Sequence, residues 1–111
     1  MVDNETLDTA EIINEAGHVV ARYSRYLAPD GSGWVRHGPY VAYHLNGQVA
    51  SEVSYVHGRV EGLGRDFYEN GQLAAEGHYR CGKEEGDWRF WTPAGTEQEP
   101  VRYLAGDEGE R

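Results

Sequence analysis

The chain has 111 residues, 39% of them hydrophobic, and a formal net charge of −9. That length is one domain, and so little apolar content points to a small stacked array with shared aromatic packing, not to a large globular core. The acidic balance argues against binding nucleic acid or anionic lipid, both of which need basic surface, and is compatible with a basic partner.

Residues 1–11 are polar and acidic, lack a signal-peptide pattern and are expected to be loosely ordered. Beyond them the same punctuation recurs at a spacing of 24: Gly38, Gly62 and Gly86; Gly47, Gly71 and Gly95; Tyr55, Tyr79 and Tyr103; Gly58, Gly82 and Gly106. An aromatic column, Tyr43, Phe67 and Trp91, keeps the same step. Such a register marks a repeat protein, with a repeat domain over 12–109 and units at about 12–37, 38–61, 62–85 and 86–109. The first unit is degenerate: Asn14, Gly17, Val19 and Tyr23 or Tyr26 imitate the pattern. Gly17 to Gly38 spans 21 residues against 15 from Gly47 to Gly62, and the surplus of six reads as a lengthened loop over 27–36.

Each unit reads as a β-hairpin followed by a Gly-bounded turn, because Asn46-Gly47 and Asn70-Gly71 sit between strand-like runs and both residue types accept positive φ. The fold expected is all-β: sequential antiparallel hairpins in one elongated sheet. Loop length decides which side chains share a face. A two-residue loop pairs His44 with Val49; a three-residue loop with Gly left-handed pairs Tyr43 with Val49 and Phe67 with Leu73. The second segregates polarity better and is preferred. One face then carries Val41, Tyr43, Val49, Val53 and Tyr55, with Phe67, Leu73, Ala75, Tyr79, Trp91 and Tyr103. The other carries Tyr40, His44, Glu52, Tyr68, Glu76, His78, Trp88 and Phe90. In the last unit Pro93-Ala94 precedes Gly95 and Pro100 replaces the Glu of its column, so this strand is expected at a sheet edge.

These columns resemble the MORN-repeat variant of bacterial YwqK-type antitoxins. The resemblance rests on Tyr43, Asn46-Gly47, Val49, Glu52, Tyr55, Gly58-Arg59 and Gly62, and again on Phe67, Asn70-Gly71, Leu73, Glu76, Tyr79, Gly82-Lys83 and Gly86. It implies a β-hairpin array used as a protein-binding surface. Eukaryotic MORN arrays are also associated with membranes, which the acidic composition here argues against.

No residue set has catalytic, cofactor or metal spacing. Glu52 and Glu76 could pair as acid and base, but repetition explains them as supports for their own units, through an Arg or a turn amide. His18, His37, His44, His57 and His78 form no ligand motif, and the single cysteine, Cys81, has no partner for a disulfide or a metal. His57 and Cys81 fall in turns and are expected to be exposed. The candidates for partner binding are Tyr40, Tyr68, Trp88 and Phe90 as aromatic anchors beside Glu52 and Glu76, Trp34 in the long loop, and Glu84, Glu85 and Asp87 as steering charges. The function expected is a non-enzymatic, cytoplasmic antitoxin or immunity-type binder that occludes a protein, such as a basic toxin. The rival is a scaffold or adaptor that self-associates through open sheet edges.

Overall fold

The computed structural model describes residues 7–104. Nine strands form one antiparallel sheet: β1 (Asp8–Ile13), β2 (Val19–Leu27), β3 (Trp34–Tyr43), β4 (Val49–Val56), β5 (Arg59–Val60), β6 (Gly62–Phe67), β7 (Leu73–Arg80), β8 (Lys83–Phe90) and β9 (Val101–Tyr103). Their spatial order is β1-β2-β3-β4-β6-β7-β8-β9, with β5 paired to β4, so apart from β5 the order in space follows the order in sequence. Among the described residues there is no helix. Gly106, the last member of its column, lies outside the described residues.

Four hairpin turns share one design. The amides of Asn14, His44, Tyr68 and Thr92 donate to the carbonyls of His18, Gln48, Gln72 and Thr96, at 2.8–3.0 Å. Each turn ends on a glycine in the left-handed region, Gly17, Gly47, Gly71 or Gly95, with φ between 88° and 94°. The Cβ of other L-residues makes that conformation costly. In the middle turns the asparagine acts twice. Its Oδ1 accepts from the amide two residues on (Gln48 or Gln72), while its Nδ2 donates to a carbonyl of the following unit: Asn46 to Glu69 and Asn70 to Pro93. His44 Nε2 likewise meets the Phe67 carbonyl, and the Tyr68 hydroxyl donates to that of Trp91. The turns therefore form a ridge stitched from unit to unit.

The preferred register is the one present: Tyr43 pairs with Val49 and Phe67 with Leu73. The expected faces do not follow from it. Ala42 pairs with Ser51 and Asp66 with Ala75, which leaves Ala50 and Ala74 as unpaired bulge residues. One extra residue per unit reverses the facing of everything beyond it. Tyr40 thus shares a face with Val53 and Tyr55, and Trp88 and Phe90 with Ala75 and Tyr79. Glu52 and Glu76 share the other face with Val41 and Arg65. Tyr43, Val49, Phe67 and Leu73 are half-buried, as are Tyr40, His44 and Glu52, so the expected contrast in burial between the two groups is absent.

Two further expectations change. β1 begins at Asp8, inside the stretch expected to be loosely ordered, and pairs with β2 from Asp8 to Ile13. The surplus in the first unit is only partly loop. Leu27 pairs with Trp34 as strand, and the loop itself is 28–33, closed by a bond from the Ala28 amide to the Gly33 carbonyl. At the far end, β9 is three residues long and lies at the sheet edge, where Pro100 placed it.

A single sheet has no second layer to cover it. Among the described residues the buried side chains are Ala21, Ala75 and Trp88, joined by Gly64 and Gly77. All five lie on the face that carries Tyr23, Tyr40, Tyr55 and Tyr79, so the deepest burial is on one side, while Tyr43, Phe67 and Trp91 are half-buried on the other.

Candidate protein-interaction face

The packed face is built by rings lying over residues that have little or no side chain. Gly64 and Gly77 are cross-strand partners in the centre of the β6–β7 pair. A Cβ on Gly77 would come within 2.2 Å of the Trp88 ring, and one on Gly64 within 2.7 Å of Tyr79. Only glycine permits such close approach. Trp88 consequently sinks to 4% exposure. Its indole Nε1 donates to the His78 carbonyl, and it meets Tyr79 and Tyr103 edge-on at 5.1 and 6.4 Å. Towards the first unit, Tyr40 stacks on Tyr23 at 5.4 Å and meets Tyr55 at 5.7 Å. The Arg36 guanidinium lies 5.0–5.6 Å from the rings of Tyr23, Tyr40 and Tyr55. Burial opposes its charge, but the hydrogen bond to the Tyr55 hydroxyl and the neighbouring phenols outweigh this and hold it above its ordinary range. The Tyr79 phenol is pushed up by burial first and by the Glu84 carboxylate second.

The opposite face is a ladder of alternating charge. Glu11 pairs with Arg22, and Arg89 with Glu97. Between them Arg65 bridges two units, with Nε 2.8 Å from Glu76 and Nη1 4.0 Å from Glu52. The two glutamates that could have formed an acid–base pair thus share one guanidinium between them. Arg102 pairs with Asp87 on this side as well, and holds that carboxyl below the usual range chiefly through its hydrogen bond.

The expected binding residues are dispersed. Tyr40, Phe90 and Glu84 belong to the aromatic face, Glu84 directly opposite Tyr79 in register. Glu85 and Asp87 belong to the ladder face, tied to Arg80 and Arg102. Tyr68 is part of the turn ridge. Trp88 is not on an exposed face: with Gly77 beneath it, it is the floor of the sheet. Trp34 is 52% exposed at the tip of the β2–β3 hairpin, with the Arg25 guanidinium 3.9 Å over its ring. Tyr23, Arg36, Tyr55 and Tyr79 are on the aromatic face but were not among the candidates. The clue for Tyr55 and Tyr79 was their own column, which the face assignment had given to the wrong partners. His57 and Cys81 are exposed turn residues with positive φ, 47° and 53°. Among the described residues, no three His, Cys, Asp or Glu side chains come together as a metal site.

Comparison with known families bears on two of the hairpins. Residues 36–57 and 60–80 match the MORN repeat variant. The two matched stretches make up less than half of the chain, and the same turn geometry continues on both sides of them. MORN repeats are generally protein- or membrane-binding modules and are typically non-catalytic. No curated protein matches the chain, and no solved structure does. Among the described residues no helix is long and apolar enough to cross a membrane.

Proposed function

We propose that this chain is a non-enzymatic, cytoplasmic protein-binding module of the antitoxin or immunity type, which covers a basic surface of a toxin with its aromatic face. The observation that carries this reading is an asymmetry of charge. On the ladder face, Glu11, Glu52, Glu76, Glu97 and Asp87 are all paired with arginines. On the aromatic face, Glu84 and Asp66 make no ion pair with another described residue. Half-buried tyrosines flanked by uncompensated carboxylates suit lysine and arginine side chains, through cation–π and charge contacts. The net charge of −9 would speed the encounter with such a partner. The test is toxicity rescue by co-expression with a candidate toxin, followed by binding kinetics on the purified pair. Tyr55→Ala and Glu84→Gln should each weaken binding, and raised salt should slow association. An affinity that ignores all three removes the aromatic face from the interface.

A second reading, self-association, is favoured by one observation. β1 is a six-residue edge strand without Pro or Lys, and its last two residues, Ile12 and Ile13, are exposed at 37% and 56%. Natural edges are usually blunted by such residues. Sedimentation of the isolated chain across a concentration series separates this reading from the first.

A further inference from the structure

The units are joined by a second set of bonds, and one joint is built from different chemistry. The two central units each have a tight turn whose first residue is left-handed and is not glycine: His57 after β4 and Cys81 after β7. That conformation is strained for a side-chain-bearing residue. In both turns the next amide, Gly58 or Gly82, donates to a carbonyl of the preceding unit, Arg36 or Val60. In both, the strained residue's own amide is held by the side chain that follows this carbonyl in sequence. The Cys81 amide donates to Glu61 Oε2 at 2.8 Å, and the His57 amide donates to His37 Nδ1 at 2.9 Å. His37 and Glu61 are 24 apart, as are His57 and Cys81, so the two joints are the same joint. One uses a carboxylate and the other an imidazole.

We infer that the His37–His57 contact is an acid-sensitive joint between the first hairpin pair and the repeats that follow it. A backbone amide can only donate, so the bond requires a lone pair on His37 Nδ1 and places the ring proton on Nε2. An imidazolium has a proton on both nitrogens and no acceptor to offer. Protonation of His37 therefore sets two donors against each other and frees a strained residue. Histidine is the side chain that changes charge between pH 5 and 8; the sister joint has no histidine in the accepting place. The same geometry argues against a metal here, because the Nε2 that faces away from the bond carries the proton and has no lone pair to give.

The surroundings leave His37 as the group that decides. Tyr26 of β2 meets both rings, His37 at 5.6 Å and His57 at 5.7 Å, and its hydroxyl lies 2.8 Å from His57 Nδ1. A hydroxyl can reverse its bond, so this contact tolerates either state of His57. The two imidazoles are 4.5 Å apart, and charging both adds repulsion of the same sign. Of the nearby cations, Arg36 is engaged by the three tyrosines on the other face and Arg25 by Asp8 and Trp34. Arg59, which opens β5, is the charged residue next to the turn in sequence, and it is exposed.

Amide exchange followed by NMR on the whole chain at pH 8 and pH 5 tests this, with each rate divided by its intrinsic value. The His57 amide should lose protection about fivefold or more, the equivalent of one net hydrogen bond, while the Cys81 amide keeps its own. His37→Glu, which copies the sister joint, and His37→Gln, which offers a neutral acceptor, should each abolish the acid response. Parallel behaviour of His57 and Cys81 in the native chain, or an acid response that survives in either variant, overturns the inference.

Discussion

The two faces of this sheet are made from the same strands and obey opposite rules. The aromatic face is irregular: its rings sit wherever a neighbour is small, as Trp88 does on Gly77 and Tyr79 on Gly64. The ladder face is regular, with Glu and Arg alternating from Glu11 to Glu97. The deepest burial is on the irregular face, so the largest single hydrophobic contributions should come from it, whereas exposed ion pairs are individually worth about 0–1 kcal/mol. The regular face links neighbouring strands through ion pairs, and the irregular one holds the most deeply buried residues.

The largest effects should therefore come from the aromatic side. Trp88→Ala removes the largest buried side chain and should cost about 3–5 kcal/mol. Gly77→Ala attacks the same contact from below and should cost about 1–3 kcal/mol by overpacking. Both are read from urea denaturation followed by Tyr and Trp fluorescence. If Trp88→Ala is nearly neutral, the faces are energetically alike and the comparison fails. A smaller effect of known sign lies at high pH. The Tyr79 phenol is raised in the fold, so its contribution is complete below the ordinary tyrosine range, near pH 10, and is lost as pH rises through the folded value. Tyr79→Phe should flatten the fall in denaturation midpoint between pH 9 and pH 11. The smallest effect belongs to the ladder: Arg65→Gln should cost less than about 1 kcal/mol although it ends two ion pairs at once, because the guanidinium is 40% exposed.

What could be read in the sequence was the punctuation. Asn46-Gly47 and Asn70-Gly71 name their turn, and the turn fixes the Tyr43–Val49 and Phe67–Leu73 pairs. The bulges at Ala50 and Ala74 could not be read, because alanine fits either side of a sheet and carries no signal of being unpaired. With them missed, each face was assembled from halves of both, and Trp88 was placed in solvent. The packing partners were hidden for a related reason. A search for period 24 gathers positions that stay alike, while the column of Tyr40, Gly64 and Trp88 changes size at every step. Its value lies in that change: where the column has glycine, Tyr79 covers Gly64, and where it has tryptophan, Gly77 lies beneath the ring. The candidate site suffered accordingly: Tyr40, Phe90 and Glu84 fall on one face, Glu85 and Asp87 on the other, and Tyr23 and Arg36 come from the degenerate unit, where the repeat gave no guide.

The stitched turn ridge sets a question of length. Asn46 and Asn70 each donate forward, whereas Ala16 and Ala94 hold the same place at the two ends and have nothing to donate. A duplicated copy of residues 62–85 would satisfy this ridge completely, since its Asn would reach a Glu69 carbonyl and its Tyr a Phe67 carbonyl. On the aromatic side the same duplication would set Gly77 of one copy beside Gly64 of the next, with no indole to cover it. The turns would let the protein grow by whole units, and the unrepeated tryptophan is what stops it.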